Sequence, residues 1–119
     1  MTEPLASAPT DELVARFAEA ARKSIEAKNA GDVAEGNDQA AEVWEVAVEL
    51  HRRESQSALL KLLEDADASV RLSAATDALS YAPQRAEPML VELTSFPGKT
   101  GEIAAMILDL WREGRLPSP

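Results

Sequence analysis

The sequence predicts an all-α fold, a short right-handed α-solenoid of about three antiparallel helix pairs. Apolar residues recur at three- and four-residue spacing in six segments, and no segment alternates apolar and polar residues as a strand would. Aromatic residues make up only 4% of the chain and alanine is abundant, which favours closely packed helices over a β-sandwich. Comparable apolar stripes end about 30 residues apart, at Leu50, Leu79 and Leu110, a period typical of helical solenoids.

The domain organisation follows from the length and from the prolines. A chain of 119 residues has the size of one domain, and the helical pattern occupies residues 10–115. Residues 1–9 contain Pro4 and Pro9, and residues 116–119 contain Pro117 and Pro119. Because proline cannot extend a helix, we expect a flexible N-terminal arm over residues 1–9 and a C-terminal tail over residues 116–119.

The first helix pair is predicted from its end signals. Thr10 is the expected N-cap of the first helix, and Gly31 ends that helix. Asp32 followed by Glu35 is an acidic form of the capping box, so the second helix begins there or at Asn37 and runs to about residue 53. The inward stripes of these two helices contain Leu13, Phe17, Ala20, Ala21 and Ile25, then Val43, Trp44, Val46, Ala47 and Leu50.

The middle pair begins with a short helix over residues 55–64, which is rich in leucine. Asp65-Ala66-Asp67 interrupts the helical pattern with turn-favouring residues, and Asp67 is placed to cap a fourth helix over residues 68–81. Pro83 is expected to close that helix. The inward stripe of the fourth helix contains Val70, Ala74, Ala75, Ala78 and Leu79.

The last pair is predicted from Pro88 and from two glycines. Pro88 suits a first helical turn, so the fifth helix is expected over residues 87–95, before Pro97 and Gly98 stop it. The sixth helix starts near Thr100, and Gly114 supplies its left-handed cap. The inward residues are Met89, Leu90 and Leu93, then Ile103, Ala104, Met106, Ile107, Leu110 and Trp111.

Residues 57–80 resemble a HEAT repeat. The resemblance is carried by leucines in the first helix of the pair, an aspartate in the turn and a Val-Arg pair followed by small residues: Leu59, Leu60, Leu62, Leu63, Asp65, Val70, Arg71, Ala74, Ala75 and Leu79. It implies a structural polar ladder between repeats, formed by Asp65 and Arg71. With its ending Leu110-Trp111-Arg112-Glu113-Gly114, the chain also looks like a group of short bacterial HEAT-like proteins of unknown function. Residues 10–115 are therefore expected to form one HEAT-like domain.

The charge and the cysteine content narrow the classes of partner. The formal net charge of -9 repels phosphate backbones and anionic lipid headgroups, so nucleic acid and membranes are poor expected partners. The chain contains no cysteine, which fits a reducing compartment. Its N-terminus lacks a basic start and an apolar run, and no segment reaches the length of a membrane span. We therefore expect a cytoplasmic protein.

Candidate catalytic and metal-binding residues are few. The single histidine, His51, has no nucleophile or base at a motif spacing, and the sequence favours a position at the helix C-terminus for it. A group of carboxylates, Asp32, Glu35, Asp38 and Glu42, matches no metal motif and is expected to be solvated. Residues 98–101 lack the glycine of a phosphate-binding loop. We expect no enzyme activity, cofactor or metal.

The leading functional prediction is a protein-interaction module that uses the concave face of the second helices. Acidic residues on that face favour a basic or mixed-charge protein partner. The alternatives are a nucleic-acid-associated HEAT-like protein, an accessory subunit of an enzyme, and a homodimer centred on Trp111. Both tryptophans are expected to lie in the core more than at an interface. The residues predicted as possible partner contacts are Trp44, Glu45, Glu49, Arg52, Arg53, Asp77 and Asp109.

Overall fold

The computed structural model describes residues 4–119 and confirms the all-α prediction, since this part of the chain contains no strand. Two 3₁₀ helices and five α-helices follow one another. Their bounds are Leu5–Ser7 and Gln56–Glu64 for the 3₁₀ helices, and Thr10–Asn29 (α1), Val33–Arg52 (α2), Ala68–Ala78 (α3), Pro83–Leu93 (α4) and Gly98–Arg112 (α5) for the α-helices. Among the described residues, none of these helices is long and apolar enough to cross a bilayer.

Two helices begin at an aspartate N-cap, as predicted. The Asp32 side chain accepts a hydrogen bond from the backbone N–H of Glu35 at 3.1 Å, so α2 starts at the predicted capping box and not at Asn37. Asp67 caps α3 in the same way, through the N–H of Ser69 at 2.9 Å. Thr10 was expected to cap α1 but is already helical, and Pro9 takes the N-cap position without a side-chain bond.

Pro83 and Pro88 both take positions other than the predicted ones. Pro83 begins α4 and does not close the preceding helix, which ends at Ala78. A first turn suits proline because the missing N–H has no helical partner there. Pro88, predicted for that first turn, lies inside α4, where it removes one N–H from the helix. The leucine-rich segment before α3 is a 3₁₀ helix and not an α-helix.

Three α-helices end in the same geometry. Gly31, Glu54 and Gly114 follow α1, α2 and α5 with positive φ values of 84°, 57° and 71°. After Glu54, the N–H of Ser55 donates to the carbonyl of Leu50 at 2.8 Å, as in a Schellman motif. The predicted cap at Gly114 is confirmed, whereas Glu54 adopts a left-handed conformation that costs an L-residue free energy.

The helices pack as consecutive neighbours and also close on one another. The main packing pairs are α1 with α2, the second 3₁₀ helix with α3, α3 with α4, and α4 with α5. However, α1 also touches α3 and α5, and the Asn29 side chain accepts from the N–H of Lys99 at 2.9 Å. In a solenoid each helix pair contacts only its neighbouring pairs, whereas here α1 of the first pair also contacts α5 of the last. The solenoid arrangement therefore stays a prediction. The largest fully buried side chains are Leu13, Phe17, Val46, Leu50, Leu59, Leu90 and Leu93.

Both ends of the described chain contact the helices. Ala8 is 2% exposed, and the Arg53 guanidinium donates to the carbonyl of Leu5 at 2.8 Å, so part of the predicted arm packs against α2. Residues 1–3 of that arm lie outside the described residues. In the predicted tail, Leu116 is partly buried against the core. Met106, expected inward on the last helix, is 51% exposed.

Candidate functional site

A groove runs between α2 and α3, and we call it the α2–α3 groove. Its central cavity of about 110 Å³ adjoins a second cavity of about 170 Å³ towards α5 and a third of about 210 Å³ towards the C-terminal residues. The three cavities share lining residues, so they form one continuous surface. The central cavity is lined by Phe17, Ala40, Val43, Trp44, Ala47, Ser73, Thr76, Asp77, Pro117 and Pro119.

The packing of α1 creates this groove. Both α2 and α3 pack against α1, which supplies Phe17 to the central cavity and Ile25 to the cavity near α5. Small side chains, among them Ala40 and Ser73, line the groove where α2 and α3 face each other. The result is a shallow apolar channel with a helical floor.

Trp44 is the largest apolar side chain that lines the central cavity, and it is 44% exposed. The expectation that Trp44 lies in the core is therefore wrong. Val46 faces the core, whereas Trp44 lines the groove together with Val43 and Ala47 on the neighbouring side of α2. Trp111 is partly buried against the core and lines the third cavity.

Asp77 is a buried carboxylate that lines both the central and the third cavity. Its side chain is 4% exposed, and its Oδ1 lies 2.9 Å from Nε2 of His51. Burial raises the pKa of Asp77, an effect that the hydrogen bond from His51 partly opposes. Its Oδ2 is shielded from solvent, and the neighbouring Tyr81 side chain also lowers the pKa of Asp77.

The surroundings of His51 and Asp77 are held in place by further bonds. The ring of Tyr81 meets the ring of His51 edge to face at 5.8 Å, and its hydroxyl donates to the backbone carbonyl of Gln56 at 2.9 Å. Burial also raises the pKa of Tyr81. His51 lies in the last turn of α2, as predicted, and its side chain in addition has a structural partner in the middle pair.

The hydroxyl groups of Thr76 and Ser80, on either side of Asp77, are engaged by the backbone. Thr76 Oγ1 donates to the carbonyl of Leu72 at 2.8 Å, and Ser80 Oγ donates to the carbonyl of Asp77 at 3.1 Å. A hydroxyl held in this way is not activated by the histidine. The arrangement offers hydrogen-bonding groups to a bound molecule.

Glu49 and the two arginines that follow it form an ion cluster away from the groove. Glu49 Oε2 lies 2.5 Å from Nη2 of Arg52 and 2.7 Å from Nε of Arg53. Hydrogen bonds from Arg52 and then Arg53 lower the pKa of Glu49 to about 2. Because Arg53 also holds the carbonyl of Leu5, these predicted partner contacts tie the N-terminal segment to α2.

The other predicted site residues are dispersed. Glu45 on α2 and Asp109 on α5 are exposed, and neither lines the groove cavities. Arg71 reaches Asp65 through its backbone carbonyl, at 2.7 Å from Nη1, and its guanidinium lies 5.6 Å from the centre of the Phe96 ring. Arg71 and Asp65 thus meet within the middle pair without a carboxylate–guanidinium pair, and the implied ladder between repeats stays a prediction.

Sequence reasoning missed most of the groove lining. Ser73, Thr76 and the prolines of the tail belong to the groove, although no local motif marks them. One usable signal existed in Leu116, an apolar residue in a segment predicted to be a free tail. An apolar side chain there suggests contact with the folded domain.

Comparison with known proteins assigns the family. A family model described as a domain of unknown function, DUF2019, matches residues 11–110. The chain belongs to the DUF2019 family. The range matched by the DUF2019 model includes Trp44 and Asp77 and ends before Trp111 and the tail. No curated protein matches the chain.

A solved structure shares the fold of this DUF2019 chain. It is the crystal structure of the protein RPA1889 from Rhodopseudomonas palustris CGA009, with 31% sequence identity and a TM-score of 0.84. The similarity covers 98% of each chain, so it extends over all five α-helices. Neither the family description nor this name states an activity.

Proposed function

We propose that this DUF2019 chain is a non-catalytic protein-interaction module and that its docking site is the α2–α3 groove. The exposed Trp44 beside a continuous apolar channel is the observation that carries the proposal. Tryptophan is enriched among the residues that dominate binding energy, and a half-exposed indole gains contact area when a partner covers it. A partner chain lying in the groove would bury the apolar face of Trp44.

The course of the groove supports a HEAT-like scaffold. Its lining includes residues of α2, α3 and α5, which are the second members of the three predicted pairs, while α1 and the tail supply much of the rest. In a short right-handed solenoid these helices form the concave face, the surface through which such scaffolds bind partners. The solenoid arrangement and a cytoplasmic setting are part of the same proposal.

Charge indicates the kind of partner. The net charge of -9 and the buried Asp77 at the groove favour a protein segment that is basic or of mixed charge and offers hydrogen-bond donors. The absence of an activated hydroxyl near His51 in the described contacts favours binding over hydrolysis. Self-association through α5 stays a prediction, which light scattering tests.

The test is affinity capture from the native cell with three proteins: wild type, Trp44→Ser and Val91→Ser. Val91 is a matched control because it is an apolar residue on α4, 48% exposed and outside the groove. We expect a protein that wild type and Val91→Ser both enrich and that Trp44→Ser loses. The purified pair should then bind in titration calorimetry with the same pattern of variants.

Two results would contradict the proposal. In the first, no protein binds wild type in the purified system. In the second, Trp44→Ser binds the captured protein as tightly as wild type does, and this would place the docking site elsewhere. Circular dichroism of each variant verifies folding, and a large change is not expected since Trp44 is substantially exposed.

A further inference from the structure

Part of the α2–α3 groove is already occupied by the C-terminal residues of the same chain. Pro117 and Pro119 line the central cavity with Trp44, and they line the third cavity with Trp111. Leu116 is partly buried against the core, although residues 115–119 form no regular secondary structure. The groove therefore holds an extended segment in the region that contains both tryptophans of the chain.

The sequence of this segment explains how the groove could recognise it. Residues 116–119 read Leu-Pro-Ser-Pro, and each proline fixes its own φ near the value of an extended polyproline conformation. Such a segment loses little conformational entropy on binding, and grooves lined by aromatic side chains are a recurrent site for it. Trp44 and Trp111 provide that kind of lining.

The rest of the groove is open. The cavity near α5 is lined by Ala40, Val43, Ile103 and other helical residues, and no residue of the tail lines it. The tail thus fills part of a site that a longer segment would fill more completely.

We infer that the α2–α3 groove binds an extended, proline-containing segment of a partner protein, and that residues 116–119 occupy the same place in cis and must be displaced. This inference rests on the proposed docking function and specifies both the ligand chemistry and the regulation of that site. The tail competes because its attachment gives it an effective concentration of about 1 mM. Partner affinity is lowered accordingly.

The test uses a variant that ends at Arg115, so that Gly114 and its helix cap are retained. The probe is a synthetic peptide with the sequence of residues 113–119, titrated while the fluorescence of Trp44 and Trp111 is recorded. We expect saturable binding to the truncated variant, with a dissociation constant of about 0.1 mM, typical of a short segment. The full chain should bind about tenfold more weakly because its own tail competes.

Matched controls separate specific binding from a general effect of peptide. A peptide with alanine in place of Pro117 and Pro119 should bind at least about fivefold more weakly, since it loses the preformed extended conformation. The truncated variant carrying Trp44→Ser should bind the original peptide at least about tenfold more weakly. The truncated variant carrying Val91→Ser should bind it normally, because Val91 is exposed on α4.

Several outcomes would overturn the inference. They are failure of the truncated variant to bind the peptide, equal binding by the truncated and full chains, or equal binding of the alanine peptide. A dimer of the full chain that truncation dissolves would show tail exchange between two copies, which also contradicts the cis arrangement. If the peptide test fails while a captured protein still depends on Trp44, the docking function stands and only the ligand assignment falls.

Discussion

Gly101 offers a sharp test of the packing at the start of α5, because an added methyl group would collide with backbone. A Cβ at Gly101 would lie 2.1 Å from the carbonyl oxygen of Phe96 and 3.0 Å from that of Thr94. Both oxygens belong to the turn between α4 and α5, and neither can rotate away as a side chain could. Gly101→Ala must therefore move α5 away from this turn by about 1 Å.

The expected change in the free energy of unfolding of Gly101→Ala is the balance of two effects, overpacking and helix propensity. Overpacking of this kind costs roughly 1–3 kcal/mol or more, and the buried side chains of Ala104 and Leu108 resist the shift of α5. Alanine recovers about 1 kcal/mol relative to glycine inside a helix. Since the overlap with Phe96 exceeds ordinary overpacking, we expect a net loss of about 2 kcal/mol and a Tm lower by roughly 10 °C.

Gly36→Ala is the matched control for this substitution. Gly36 is also helical, but its nearest obstacle is a side-chain atom, Cγ of Lys28 at 2.5 Å from the added Cβ, which a change of the Lys28 rotamer can move. The backbone oxygen of Ser24 lies at 3.2 Å and needs to yield only slightly. Thermal and urea unfolding of both variants should show a loss for Gly36→Ala that is at least about 1 kcal/mol smaller than the loss for Gly101→Ala. Equal stability of the two variants would refute the described packing of α5.

Three further predictions concern stability. Glu54→Gly should raise the free energy of unfolding by about 0.5–1 kcal/mol in urea denaturation, because Glu54 has φ of 57°; an unchanged midpoint would count against this. Leu50→Ala should lower the free energy of unfolding by about 2–5 kcal/mol because Leu50 is fully buried, whereas Val48→Ala should change it by less than about 0.5 kcal/mol because Val48 is exposed. The arginines lower the pKa of Glu49 to about 2 from an ordinary 4.5, so the ionised Glu49 stabilises the fold above pH 4.5 and this stabilisation is lost as the pH falls towards 2. Between pH 4.5 and pH 2, the Tm of Glu49→Gln should therefore decline less steeply than the Tm of wild type.

Local signals were enough to predict the helical content and several helix ends. Asp32 and Asp67 each cap a helix through a side chain that reaches an N–H two or three residues ahead, and this spacing is visible in the sequence. Gly114 likewise marks a left-handed cap. These features depend on neighbouring residues alone, so no tertiary information was needed.

Pro83 and Pro88 show why local sequence patterns could not place the start of α4. Pro83 and Pro88 both suit a first turn, and only the packing of α4 against α3 and α5 decides which one begins the helix. The leucine-rich segment before α3 was ambiguous in another way. Its closely spaced leucines satisfy the periods of both α- and 3₁₀ helices, so sequence could not separate them.

The candidate site was predicted only in part because it joins distant segments. His51 and Asp77 are 26 residues apart and meet across two helices, so no motif spacing indicates their contact. Trp44 lies at the edge of the apolar stripe of α2, and its exposure depends on which surfaces the tail and α3 cover. Periodicity assigns such an edge residue to the core by default.

The central claim, that the α2–α3 groove docks an extended, proline-containing segment, is tested most directly by NMR of the two indole N–H groups. The chain has two tryptophans, so the truncated variant ending at Arg115 should show two resolvable indole signals. We expect the peptide of residues 113–119 to shift the indole signals of Trp44 and Trp111 saturably, and both signals should give the same dissociation constant. Indole signals that stay unchanged at saturating peptide would contradict it.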